Sequence, residues 1–241
     1  MGAVISFFSD ETVKVHDNSK HKDVFHKPKF YKNLDGPVFT ALDYNRIYAT
    51  RHYSQIVWVS TIENGASFEE SWKSTKPRLE KYFKGKNQRN YRLPRTCPVT
   101  MRKTISVNGK EEDFTVSMPI SKYFTEDPPG PQHKDIFIRR DYKRIQYAGY
   151  FHKQYREENI NHDIDILRNS LKSNNETFDD DHCYVVFYDT KHRNLSNIDY
   201  YEIWFEGSRQ EQDYICLQNY DEDENEVEEV KKVLRWPYFN G

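Results

Sequence analysis

The feature that most constrains this chain is an order of patterns that occurs twice. From Pro37 the sequence runs through β-rich stretches, Pro37 to Leu42, Ile47 to Tyr53 and Gln55 to Ile62, the last carrying Ile56-Val57-Trp58-Val59. The period then changes: Phe68, Trp72, Leu79 and Phe83 recur at helical spacing. Glu69 and Glu70 fall in the first turn and Lys81 and Lys84 near the end, which suits the helix dipole. Ser67 is the expected N-cap and Gly85 the expected stop, while Pro77 predicts a kink or a change of register inside the helix. Two strands follow, near Pro98 to Val107 and Asp113 to Pro119, joined by the hairpin dipeptide Asn108-Gly109. The run Asp127-Pro128-Pro129-Gly130-Pro131 must be an extended loop.

The second half repeats this order. Asp135 to Arg140 and Arg144 to Phe151 read as paired strands, and Ile160, Ile164, Leu167 and Leu171 mark a helix. Cys183 to Tyr188 and Tyr200 to Phe205 read as a closing pair. Each half is therefore strand, strand, helix, strand, strand. The expected fold is α+β, with two similar halves in one sheet system and a helix from each covering a face. A cleft between a helix and the curved sheet is a natural ligand site.

The flanks differ from this core. Residues 1–35 are polar, rich in Lys and His and without periodicity, and are expected to form a mobile arm. His16, His21 and His26 sit five apart, which suits neither a helix face nor a strand face and makes a weak metal site. Residues 207–241 form an acidic tail containing the run Asp221 to Glu229. Within it Val227, Val230, Val233, Leu234 and Trp236 have the spacing of a short helix, either docked or part of a solvated tail.

Charge is nearly balanced, 36 Lys+Arg against 38 Asp+Glu, and gives no support to nucleic-acid binding. Cys97, Cys183 and Cys216 are odd in number and widely spaced, which argues against a zinc site or disulfide framework and for reduced thiols in the cytoplasm. No apolar run approaches the ~20 residues of a membrane span. Met1-Gly2-Ala3-Val4-Ile5-Ser6 fits the N-myristoylation pattern at Gly2, or is a chance match to a short pattern. One acyl chain there would give only weak, reversible membrane association.

A search for catalytic constellations finds no Gly-rich phosphate loop, no GxSxG, no HExxH and no kinase set, so an enzyme has no residue-level support. Cys97 reads as a small strand residue before Pro98 rather than a nucleophile. Binding is better founded. The stripe Phe68, Trp72, Leu79 and Phe83 either faces the core or lines core and cleft together. Trp72 is the ring placed nearest a flat guest. His52 lies in Arg51-His52-Tyr53, where a neutral imidazole could ligate haem iron and the adjacent Arg51 pair with a propionate. By residue type alone, a surface histidine at a strand end is the commoner case.

Several segments together resemble the SOUL haem-binding family. Tyr48-Ala49-Thr50-Arg51-His52-Tyr53 with Trp58-Val59-Ser60-Thr61 is similar to its YEIRHY…WVST opening, and Tyr82 to Asn87 to its Y-x-x-G-x-N helix end. Thr96 to Thr100 is similar to T-A-P-V-T, Met118-Pro119 with Asp127 to Pro131 to I-P…P-P-x-P, and Tyr201 to Trp204 to N-E-V-W. The resemblance implies a haem-binding domain over residues 36–206, a distorted antiparallel β-barrel of two similar β-β-α-β-β halves with two flanking helices. It implies a monomeric cytosolic carrier or buffer of haem or another tetrapyrrole, with the ligand in a shallow apolar groove between the first helix and a late strand loop. His52 matches a histidine proposed as axial ligand in one branch. Departures stand beside it. Lys76 and Glu80 replace apolar groove residues, so Lys76 would have to meet a propionate or another partner. Asp199 stands near a relative's Arg, and Val186-Phe187-Tyr188 replaces a small A-G-Y. These departures favour the alternative of an adaptor module taking a lipid or peptide. The helix Glu157 to Lys172 lacks the Leu…Gly-Asp core of a BH3 segment, so cell-death partners of that type are not expected.

Overall fold

A computed structural model describes residues 28–64, 67–104, 113–188 and 194–208. Asn108-Gly109, Gly2, the three arm histidines and the tail beyond Ser208 lie outside these residues. The elements are β1 (Phe39–Tyr44), β2 (Tyr48–Tyr53), β3 (Ile56–Asn64), α1 (Phe68–Phe83), β4 (Val99–Thr104), β5 (Asp113–Pro119), β6 (Ile136–Asp141), β7 (Arg144–Phe151), α2 (Glu157–Ser173), β8 (His182–Phe187) and β9 (Tyr201–Glu206).

All nine strands join one antiparallel sheet in the order β1-β2-β7-β9-β8-β4-β5-β3-β6. Setting β1 aside and exchanging β2 to β5 with β6 to β9 in turn gives the same order read from the opposite edge. The duplication seen in the sequence is thus a duplication of pairing. It also corrects one expectation: Asp135–Arg140 and Arg144–Phe151 are not partners. β6 pairs with β3, and β7 with β2 and β9. Each half gives its first strand to the other half, so a short connection does not make a hairpin here. The result is a curled half-barrel with two helices, the expected α+β distorted barrel.

α1 begins with a capping box. Ser67 Oγ accepts the Glu70 N–H at 3.3 Å, and the Glu70 carboxylate accepts the Ser67 N–H at 3.1 Å. The helix continues through Pro77 to Phe83 and stops before Gly85, whose φ of 106° only glycine adopts without strain. Its buried face packs on β3 and β5. α2 packs on β9 and turns Ile160, Ile164, Leu167 and Leu171 into the same core.

The sheet's other face is buried too, within the curl, around Tyr53, Trp58, Ala148, Val186 and Trp204. From residues 28–35, which fall within the stretch expected as an arm, Phe30, Tyr31 and Leu34 pack in this second core. Pro28 leads into a 3₁₀ turn, Lys29–Tyr31, and Tyr31 is 1 % exposed with its hydroxyl donating to Pro37 O at 2.8 Å. A Cβ on Gly36 would lie 2.6 Å from the Tyr31 ring and 2.7 Å from Cys97 O, so this segment seats too closely for any other residue.

Candidate functional site

Helical periodicity shows that a face is apolar but not what covers it. Here the core covers most of the expected groove. Phe68, Trp72 and Leu79 are fully buried. Phe187, the bulky departure from the small family residue, lies 5.1 Å from Trp72 and 6.3 Å from Phe68 between ring centroids, and 5.6 Å from Tyr155. It fills the space where a flat guest was expected to stack. Lys76 is also buried. Its ammonium lies over the Trp72 ring at 5.5 Å and pairs with Glu80 at 2.8 Å, so its partner is the next helical turn and not a propionate.

Arg51 is not available to a ligand either. It is 1 % exposed, its guanidinium donates to both Glu202 oxygens at 2.9 Å, and Phe39 and Phe30 face it at 4.9 and 5.5 Å. Glu202 also accepts from Tyr188 (2.7 Å), Tyr200 (2.6 Å) and Trp204 Nε1 (2.7 Å). Burial pushes the Glu202 carboxyl up, but Arg51 and these donors outweigh it and hold it below its ordinary value. His52, one residue on, projects from the opposite face of β2, because successive strand residues alternate. The two side chains therefore cannot serve one side of one ligand. His52 is half-buried between Thr40 and Ile145, and burial, then the Lys143 ammonium, lowers its pKa.

A concavity lies at the last turn of the expected stripe, at the C-terminal end of α1. Three of the quoted segments build it. Asn87 clamps the loop after the helix: its Nδ2 donates to Tyr82 O (3.1 Å) and Tyr91 O (2.7 Å), and its Oδ1 accepts from Tyr91 N at 3.1 Å. Leu93 N donates to Phe83 O at 2.9 Å, which seats Leu93 beside Phe83. The proline-rich loop docks behind, through Tyr82 OH to Pro129 O (2.6 Å) and Gln88 N to Gly130 O (2.8 Å). Thr96 Oγ1 donates to Pro119 O at 2.6 Å and so brings Arg95 toward the end of β5.

The groove so formed has a volume of about 490 Å³. Phe83, Leu93 and Met118 give it an apolar floor; Lys84, Arg92 and Arg95 stand on its rim, with Glu80 the one carboxylate. Glu80 is engaged by Lys76 and, at 3.5 Å, by Lys84. Of the residues expected to bind, Phe83 alone lines this groove, and among the described residues no histidine does. Lys84, Arg92, Leu93, Arg95 and Met118 were not singled out as binding residues, although the basic stretch Lys84 to Arg95 and the segment Met118-Pro119 mark their neighbourhood in the sequence. The loop 189–193 after β8 lies outside the described residues. No group of three or more His, Cys, Asp or Glu among the described residues could hold a metal ion.

A curled, duplicated antiparallel sheet thus carries two helices and a shallow groove at the end of the first. The family model for SOUL heme-binding protein matches residues 34–206, and the chain belongs to that family. Heme-binding protein 2 of Mus musculus and of Homo sapiens are each 25% identical over 158 residues, 65% of this chain and 76% of theirs. Among solved structures, the EcmrR C-terminal domain superposes with a TM-score of 0.50 at 12% identity, over 67% of this chain and 96% of that one. EcmrR in its DNA complex gives 0.50 at 13% identity, over 67% of this chain and 57% of that one. At these identities the likeness shows the fold alone.

Proposed function

We propose that this protein binds haem or a related tetrapyrrole non-enzymatically, as a carrier or buffer, in the groove formed by Phe83, Leu93 and Met118 under the cations Lys84, Arg92 and Arg95. The observation that carries the reading is this pairing of an apolar floor with a cationic rim. A tetrapyrrole is an apolar disc with carboxylates at its edge, and each part meets its complement. The volume falls within the roughly 300–1,000 Å³ of small-molecule sites. Family membership supports the ligand class.

Among the described residues the lining offers iron no imidazole, so in this reading recognition rests on the disc and its carboxylates. Bound iron would keep its own redox and ligand chemistry. What these side chains supply is a dry face and charge. Hemin added at micromolar concentration should shift its Soret band saturably, and metal-free protoporphyrin should compete within a few-fold of hemin. Arg92→Glu with Arg95→Glu should weaken both. Saturable binding untouched by that double change would place the ligand elsewhere. The adaptor alternative loses its main support, since Lys76 and Glu80 neutralise each other.

A further inference from the structure

Among the described residues the groove's rim carries Lys84, Arg92 and Arg95 against one carboxylate, Glu80, which pairs with Lys76 and, at 3.5 Å, with Lys84. The same chain holds a segment of complementary chemistry. Asp221, Glu222, Asp223, Glu224, Glu226, Glu228 and Glu229 precede Val230, Val233, Leu234 and Trp236. The basic residues Lys231, Lys232 and Arg235 lie past the acidic run. Acid followed by apolar side chains mirrors a rim of Lys84, Arg92 and Arg95 above a floor of Phe83, Leu93 and Met118. We propose that residues 221–236 occupy this groove in the same molecule and compete with its ligand. The competition rests on the tetrapyrrole reading; the docking itself does not.

Reach permits it. The described domain leads out of β9 at Ser208, thirteen positions before Asp221. An extended chain covers ~3.3–3.6 Å per residue, so this spacer spans up to about 45 Å. A domain of this size is only about 40 Å across. Tethering supplies the affinity that scattered contacts lack. A linked segment has an effective concentration on the order of 1 mM, so an intrinsic Kd of ~0.1 mM keeps the groove about nine-tenths filled. Such occupancy weakens an incoming ligand about tenfold.

Two measurements on the full chain test this. Carbodiimide joins a carboxylate to an amine in direct contact. At low protein concentration it should cross-link the 221–229 run to Lys84 within one molecule, as read by mass spectrometry of the monomer band. A variant with Asp221→Asn, Glu222→Gln, Asp223→Asn and Glu224→Gln should lose most of that link. It should also bind hemin about tenfold more tightly at low salt. Absence of the Lys84 link, a link found only between molecules, or equal hemin affinity in parent and variant overturns the proposal. If neither protein binds hemin while the link forms and the variant loses it, the tetrapyrrole reading fails and the docking stands.

Discussion

Replacing Arg51 with Ala removes the cation from a carboxylate that water does not reach. Arg51 and Glu202 are 1 % and 0 % exposed and share two 2.9 Å hydrogen bonds. Without the guanidinium, burial still acts on Glu202 and its main counterweight is gone. Breaking one side of such a pair costs about 3–5 kcal/mol. At about 2–4 °C per kcal/mol for a domain of this size, Tm should fall by roughly 6–20 °C at pH 7. Thermal unfolding followed by far-UV circular dichroism reads this directly, and 0.5 M NaCl should change the difference little, because the pair is buried. The pH dependence has a definite sign. Glu202 has a folded pKa below its ordinary 4.5, so the pair's contribution is full above that value and is lost as pH falls through the folded pKa. The gap between wild type and Arg51→Ala should therefore close in acid. Arg51→Met with Glu202→Leu should recover much of the loss, since neither side is then left charged and alone. A Tm drop below about 3 °C, or a gap that widens in acid, would refute the account of a dry, ionised pair.

Tyr31→Ala should cost about 3–5 kcal/mol in urea unfolding if residues 28–36 belong to the domain, against less than ~0.5 for a solvated arm. Phe187→Ala should open the space beside Trp72. It should lower stability by a similar ~3–5 kcal/mol and raise acrylamide quenching of tryptophan fluorescence, and unchanged quenching would show that another side chain covers that ring. His52→Ala should leave the hemin-bound Soret band where it is, since among the described residues no histidine lines the groove. A shifted band with folding intact would return the iron to His52.

How far the fold was legible depended on whether the signal was local. α1 falls on Phe68–Phe83 as read, because Ser67, Glu70 and Gly85 are punctuation that acts within a few residues. The strands were legible as strands. Their partners were not, because β6 and β7 are neighbours in sequence while each joins the other half's sheet. The packing of residues 28–35 was illegible for the same reason. Nothing in their composition announces that Tyr31 will seat between Cys97 and Tyr188.

The site was harder, and the reason lies in what a family's shared residues do. Arg51 comes from the first resembling segment and Glu202 from the last, yet they meet in the core and hold β2 to β9 through β7. Tyr82 and Asn87 brace a loop. These residues fix the scaffold, and the side chains that face the groove stand between them. The alternation of a strand places Arg51 and His52 on opposite faces, which is legible in the sequence alone. The positions of Arg92, Leu93 and Arg95 are not. They depend on Leu93 N finding Phe83 O and Gln88 N finding Gly130 O, contacts between residues that no periodicity relates. A surface held by loop-to-loop hydrogen bonds can change its lining while the barrel beneath stays fixed, so the lining of this groove is less legible in the sequence than the barrel that carries it.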